Sequence, residues 1–123
     1  PSNSSAASDV YKRQTDACDV FEGFFDFLSA ATLGVANGND ALVLNSVGNL
    51  AKSFPYLDGY AKINCWLDND GAGRKTFEAL RARYKEKVID CSGVYAGSKD
   101  LNEHLQKKLQ EKTTNNKTLK FKL

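Results

Sequence analysis

The carboxylates are the groups in this sequence best placed to do chemistry. Asp68-Asn69-Asp70-Gly71-Ala72-Gly73 sets two aspartates two residues apart, and in an extended segment such residues point to the same side. A glutamate, Glu22, ends a short apolar run far upstream and is followed by Gly23. Carboxylates gathered at one edge repel each other and shift their pKa values upward. A divalent hard cation relieves that repulsion, and oxygen-only ligands select Mg²⁺, Mn²⁺ or Ca²⁺ over zinc. Mg²⁺ takes one or two carboxylates and keeps waters and substrate phosphates, which suits Asp68 and Asp70. Gly71 and Gly73 leave room for a phosphate near the start of a following helix. Taken alone, Asp68-x-Asp70-Gly71 reads more readily as a turn with an N-cap aspartate than as a site. Adding Glu22-Gly23 favours a site.

The elements that must position these residues alternate in type. Cys18 to Phe21, Ala41 to Leu44, Lys62 to Leu67 and Val88 to Cys91 are apolar runs of strand length. Between them Phe24 to Val35 has helical spacing, with Phe24, Phe27, Leu28 and Ala31 on one face. Ser46 is placed to cap a helix from Val47 to about Phe54, which Pro55 ends. Further helices are expected from about Arg74 to Glu86, and from Leu101 to about Lys112. The turn cluster Asn37-Gly38-Asn39-Asp40 separates the first helix from the second strand. Alternation of this kind predicts an α/β fold, an open sheet of about four mainly parallel strands with helices on both faces. In such sheets ligands bind outside the carboxyl ends of the strands. Glu22, Asn45 and Ser46, and Asp68 and Asp70 all follow strand ends, so Glu22 and the two aspartates should converge on one edge.

Three stretches then carry a family resemblance. Val20-Phe21-Glu22-Gly23-Phe24-Phe25-Asp26-Phe27-Leu28-Ser29 resembles the Glu-Gly motif of the Toprim domain. Leu67-Asp68-Asn69-Asp70-Gly71-Ala72-Gly73-Arg74 resembles its Asp-x-Asp motif in the form found in DnaG-like bacterial primases. Lys99-Asp100-Leu101-Asn102-Glu103 is similar to a segment near the end of primase-type Toprim domains. Order and spacing agree from Val20 to Leu105, and the likeness is greatest to Toprim proteins of bacterial mobile elements. The resemblance implies Mg²⁺- or Mn²⁺-dependent nucleotidyl transfer on DNA, with single-stranded DNA and nucleotides as partners and an upstream module, such as a zinc finger. It implies Glu22 as general acid/base, Asp68 and Asp70 as metal ligands, and Asp100 as a further metal or water contact. Asp26 reads as a cap or an ion-pair partner. Gly23, Asn45, Ser46, Gly71, Gly73, Arg74 and Lys75 are candidates for phosphate or nucleic-acid contact, although Arg74 and Lys75 equally suit a solvated helix face. Toprim-type strand cleavage, as in a nuclease or topoisomerase, and a noncatalytic nucleic-acid-binding module are the alternatives.

Composition bounds these readings. The 123 residues suit one domain; 41% are hydrophobic and 26% charged, which excludes a disordered tail or a basic nucleic-acid arm. No run approaches a membrane span. Cys18, Cys65 and Cys91 lie in or beside apolar runs without a Cys-x-x-Cys pair. They read as reduced thiols of a cytoplasmic protein. Residues 4–14 resemble the in-frame translation of a transposase-type sequencing adaptor, so residues 1–14 are expected to be non-native and to add nothing to stability. The domain proper is then expected at 15–112, cut short at its N-terminus. Charge is polarised: residues 15–104 carry thirteen acids against nine Lys/Arg, whereas residues 105–123 carry six lysines and one acid. The stretch 113–123 reads as a lysine-rich flexible tail, suited to a nucleic-acid backbone or to solubility.

Overall fold

A computed structural model describes residues 8–12, 14–36 and 38–121. Residues 4–7 and Arg13 of the adaptor-like segment, Asn37 of the turn cluster, and Lys122 and Leu123 of the tail lie outside the described residues. The chain forms β1 (Asp9–Tyr11), β2 (Ala17–Phe21), α1 (Phe24–Leu33), β3 (Asp40–Val43), α2 (Leu50–Leu57), β4 (Lys62–Trp66), α3 (Gly71–Tyr84), β5 (Val88–Asp90) and α4 (Leu101–Phe121). Short 3-10 turns precede α2, follow α3 and follow β5.

The five strands make one sheet in the order β1-β3-β2-β4-β5. β3, β2, β4 and β5 are mutually parallel, as the alternation requires. Period-2 alternation divides the core. Cys18, Val20, Leu42, Ile63 and Cys65 point to the face covered by Leu57, Phe77, Leu80 and Tyr84 of α2 and α3. Phe21, Ala41, Val43 and Trp66 point to the other face, covered by Ala30 of α1, Tyr95 of the 3-10 turn after β5, and Leu101 of α4. From β2 the chain steps to β3 on one side and then crosses to β4 on the other. The crevice between β2 and β4 is therefore the point where strand order reverses.

The mainly parallel α/β sheet is as expected, and the structure differs from the sequence reading in four details. The sheet has a fifth strand, β1, drawn from the segment set aside as contributing nothing; it pairs antiparallel with β3, Val10 opposite Leu42. An open sheet edge offers unpaired backbone groups to any extended segment, and Val10 and Tyr11 favour strand. α2 starts after a 3-10 turn and carries Pro55 inside it rather than ending there. Complete burial of Leu57 and the Asp58 N–H bond to Phe54 O at 2.9 Å offset the bond that Pro55 cannot make. α4 runs on to Phe121 through the stretch expected to be a flexible tail, because no Gly or Pro interrupts it. Finally, α1 ends at Leu33, and its buried positions are Asp26, Ser29 and Ala30, not the apolar stripe. Among the described residues no helix is long and apolar enough to cross a membrane.

Candidate metal centre

Glu22 leaves β2 and Asp68 leaves β4, adjacent parallel strands in which Phe21 pairs with Trp66. That register puts both residues at the reversal point, where the Asp68 backbone N–H donates to Glu22 Oε2 at 2.9 Å. Asp26 lies four residues beyond Glu22, one turn into α1, and is 6% exposed. One of its oxygens, Oδ1, accepts the Asn102 N–H at 3.2 Å. Asp100 precedes α4, and its Oδ1 accepts the Glu103 N–H at 2.8 Å, an N-cap bond. One carboxylate oxygen each from Asp26, Asp68 and Asp100 lies within 4.8 Å of the others.

The loop after β5 is fastened to the loop after β4, which is how Asp100 reaches Asp68. Asn69 Nδ2 donates to Tyr95 O at 3.3 Å and to Ser98 O at 3.0 Å. The Asn69 N–H bonds Lys99 O at 2.6 Å, and the fully buried Tyr95 hydroxyl donates to Leu67 O at 2.5 Å.

Electrostatically, burial and like charge dominate the cluster. Burial pushes the Asp68 carboxyl up to about 8, aided by its hydrogen bond to Glu22 and then by the charges of Glu22, Asp26 and Asp100. Burial also pushes Asp26 up to about 6, aided by Asp100 and opposed by the Asn102 N–H. Asp68 Oδ1 is buried with no hydrogen-bond partner among the described residues. Three hard oxygen donors, one of them without a partner, fit a divalent cation.

The other residues singled out from the sequence fall in different places. Asp70 stands outside the three-carboxylate cluster: its Oδ1 accepts the Gly73 N–H at 2.7 Å and caps α3, and its Oδ2 lies 4.0 Å from Lys99 Nζ. Gly73 serves packing, since a Cβ there would sit 2.0 Å from the Asp68 carbonyl oxygen. A Cβ at Gly71 would meet nothing, and Gly23 occupies the N-cap position of α1. Asn45 has φ of 63° and donates to Asp9 Oδ2, while its N–H bonds Glu22 O at 2.9 Å. Ser46 Oγ accepts the Gly48 N–H at 3.2 Å as a cap. Arg74 is paired with Asp90 at 3.0 Å and lies over the Phe77 ring, whereas Lys75 is exposed. Asp26 is the residue whose part the sequence reading missed. Spacing within α1 gave no signal for it, since Asp26 meets Asp100 and the Asn102 N–H only through the packing of α4.

This sheet, with acidic loops at its reversal point, is that of an α/β domain of the Toprim type, and the chain belongs to the Toprim-like family, whose model matches residues 19–105. Toprim domains generally bind divalent metal. Among solved structures it is similar to the primase fragment of the bacteriophage T7 primase-helicase protein, with 25% identity and a TM-score of 0.57 over 71% of this chain. The match spans 37% of that fragment's length. No curated protein matches the chain. It is a Toprim domain of the primase-like kind.

Proposed function

We propose that this domain is the catalytic unit of a primase-like protein that performs metal-assisted nucleotidyl transfer on single-stranded DNA in the cytoplasm. The observation that carries this reading is the carboxylate trio beside Glu22, with one buried Asp68 oxygen lacking a partner among the described residues. Asp26, Asp68 and Asp100 would hold Mg²⁺ or Mn²⁺, which when bound supplies charge stabilisation for attacking and leaving oxygens of a phosphoryl centre. Glu22 is the acid/base. Its bond to the Asp68 N–H fixes the carboxylate at the strand end, where it takes the proton of the attacking hydroxyl as pyrophosphate leaves. Asp70 holds the loop through its cap, with Oδ2 as the oxygen it offers a second cation. Asn45, whose N–H bonds Glu22 O, and the exposed Lys75 in the first turns of α3 would meet phosphates. Binding and preparation of the template fall to an upstream module, such as a zinc finger. Buried, free Cys18 and Cys65 accord with a reducing compartment.

Thermal melts with millimolar MgCl₂ or MnCl₂ test the site by mass action. The expected result is a metal-dependent rise in midpoint for the wild type, its loss in Asp68→Asn and Asp26→Asn, and its retention in Glu22→Gln. Grafted into a full-length primase-like parent, Glu22→Gln should abolish primer synthesis with metal binding intact. A metal response unchanged in Asp68→Asn would overturn the reading.

A further inference from the structure

α1 keeps its largest side chains in water. Phe24, Phe25 and Leu28 are 41%, 69% and 41% exposed, while Asp26 and Ser29 take the buried positions beside them. Single exposed apolar residues are ordinary on protein surfaces, but four features set this group apart.

The first is place. Phe24 and Phe25 open the helix directly after Glu22-Gly23, on the sheet edge that holds Asp26, Asp68 and Asp100. The second is bracing. The Phe24 ring meets Phe25 at 6.3 Å and Phe27 at 6.1 Å between centroids, and Phe27 is packed edge-on to the fully buried Phe21 at 5.6 Å. Rings held from behind lose little freedom when a ligand engages their outer face. The third is charge. α1 reads Phe-Phe-Asp-Phe-Leu-Ser-Ala-Ala-Thr-Leu and carries no basic residue, so it offers nothing to a phosphate backbone. The fourth is size. The exposed parts of these three side chains amount to roughly 200–300 Å², given ~150–250 Å² for a whole aromatic side chain. A stable protein interface needs about 800 Å² from each partner. The patch matches one or two flat rings.

We propose that Phe24 and Phe25 form a stacking platform for an unpaired nucleobase whose phosphates lie at the acidic edge. The inference rests on the nucleotidyl-transfer reading of that edge and adds a base contact to it. Stacking on a π-face tolerates any base, so the platform would hold a base in place without choosing its identity. The base can belong to a single strand or to a free nucleotide, and the chemistry of recognition is the same for both.

The test uses the full chain with MgCl₂ and two pairs of probes. One pair is a single-stranded oligonucleotide carrying one 2-aminopurine and its counterpart abasic at that position; the other is a nucleoside triphosphate and inorganic tripolyphosphate. In the wild type the base-bearing member of at least one pair should bind about ten-fold more tightly than its baseless counterpart, and the pair showing the gain identifies the source. Phe25→Ala should reduce the difference to within two-fold, Phe25→Trp should keep it, and the metal-dependent rise in melting midpoint should be the same in all three proteins. Equal affinity within both pairs for the wild type, or an unchanged preference in Phe25→Ala, would overturn the platform. So would a concentration-dependent dimer that Phe25→Ala abolishes, since the patch would then belong to a second copy. A base preference that persists without any metal response would leave the platform standing and remove the nucleotidyl-transfer reading.

Discussion

α1 and α3 begin at the carboxyl ends of neighbouring strands, yet they are built on opposite rules. α3 obeys local helix chemistry. Asp70 caps its N-terminus, and Phe77, Leu80 and Tyr84 recur on one face and enter the core. α1 has no side-chain cap, buries a carboxylate and a serine, and presents two phenylalanines to solvent. A helix that departs from its own pattern at several positions marks a functional element, whereas one that conforms marks a supporting element. Here the supporting helix also locks the acidic loop, because Gly73 rests against the Asp68 backbone.

The sharpest break of this contrast comes from truncation. Leu80→Ala, at a fully buried position of α3, should cost about 2–5 kcal/mol in denaturant unfolding. Leu28→Ala on α1 should change stability by no more than about 0.5 kcal/mol. Comparable losses at the two sites would erase the distinction between the helices. Gly73→Ala comes next, with an expected cost of about 1–3 kcal/mol from overpacking. Because the Asp68 carbonyl must move, the variant should also lose part of its metal response, which a second melt with MgCl₂ would read.

pH separates the two regions in another way. Asp26 and Asp68 both have raised folded-state values, about 6 and about 8, against an ordinary 3.8. Raised carboxylates favour the folded state while protonated, so their contribution is complete below about pH 4. It declines as pH climbs through about 6 for Asp26 and about 8 for Asp68. Metal-free protein should therefore lose stability from this cluster between pH 4 and pH 8, Asp68→Asn should flatten the upper part of that slope, and Mg²⁺ should restore stability most at pH 8. Melts across that range, with and without metal, would show it; a slope unaltered in Asp68→Asn would detach the effect from α1 and its neighbours.

A modest effect is expected at the sheet edge. Removing residues 1–14 deletes β1, its pairing with β3, and the Tyr11 ring stacked on Phe27 at 4.6 Å. A loss near 1 kcal/mol is expected, a fall of about 4–8 °C in melting midpoint. An unchanged midpoint would mean that β1 adds nothing to the domain, as its adaptor-like sequence suggests.

Much of this molecule was legible in one dimension. Apolar runs of four to six residues alternating with helical spacing specify parallel strands and crossovers, since chirality and connection length leave few other arrangements. Glu22 and Asp68 were legible for the same reason: each follows a strand, and parallel strands bring their ends together. What the chain does beyond nearest neighbours was decided by packing. Asp26 is a ligand candidate only because α4 and the loop before it close over α1, which the spacing within α1 does not reveal. Asp70 shares a motif with Asp68 but is bound to Gly73 N–H, a choice made by where α3 starts. The phenylalanines of α1 had the spacing of a core stripe, yet tertiary contacts turned Asp26, Ser29 and Ala30 inward. Whether Val10 and Tyr11 pair depends on a free edge at β3, a property of the finished sheet. Periodicity encodes which elements form because backbone geometry is local; which face of an element meets a partner is set by contacts many residues apart, and those exist only once the fold has closed.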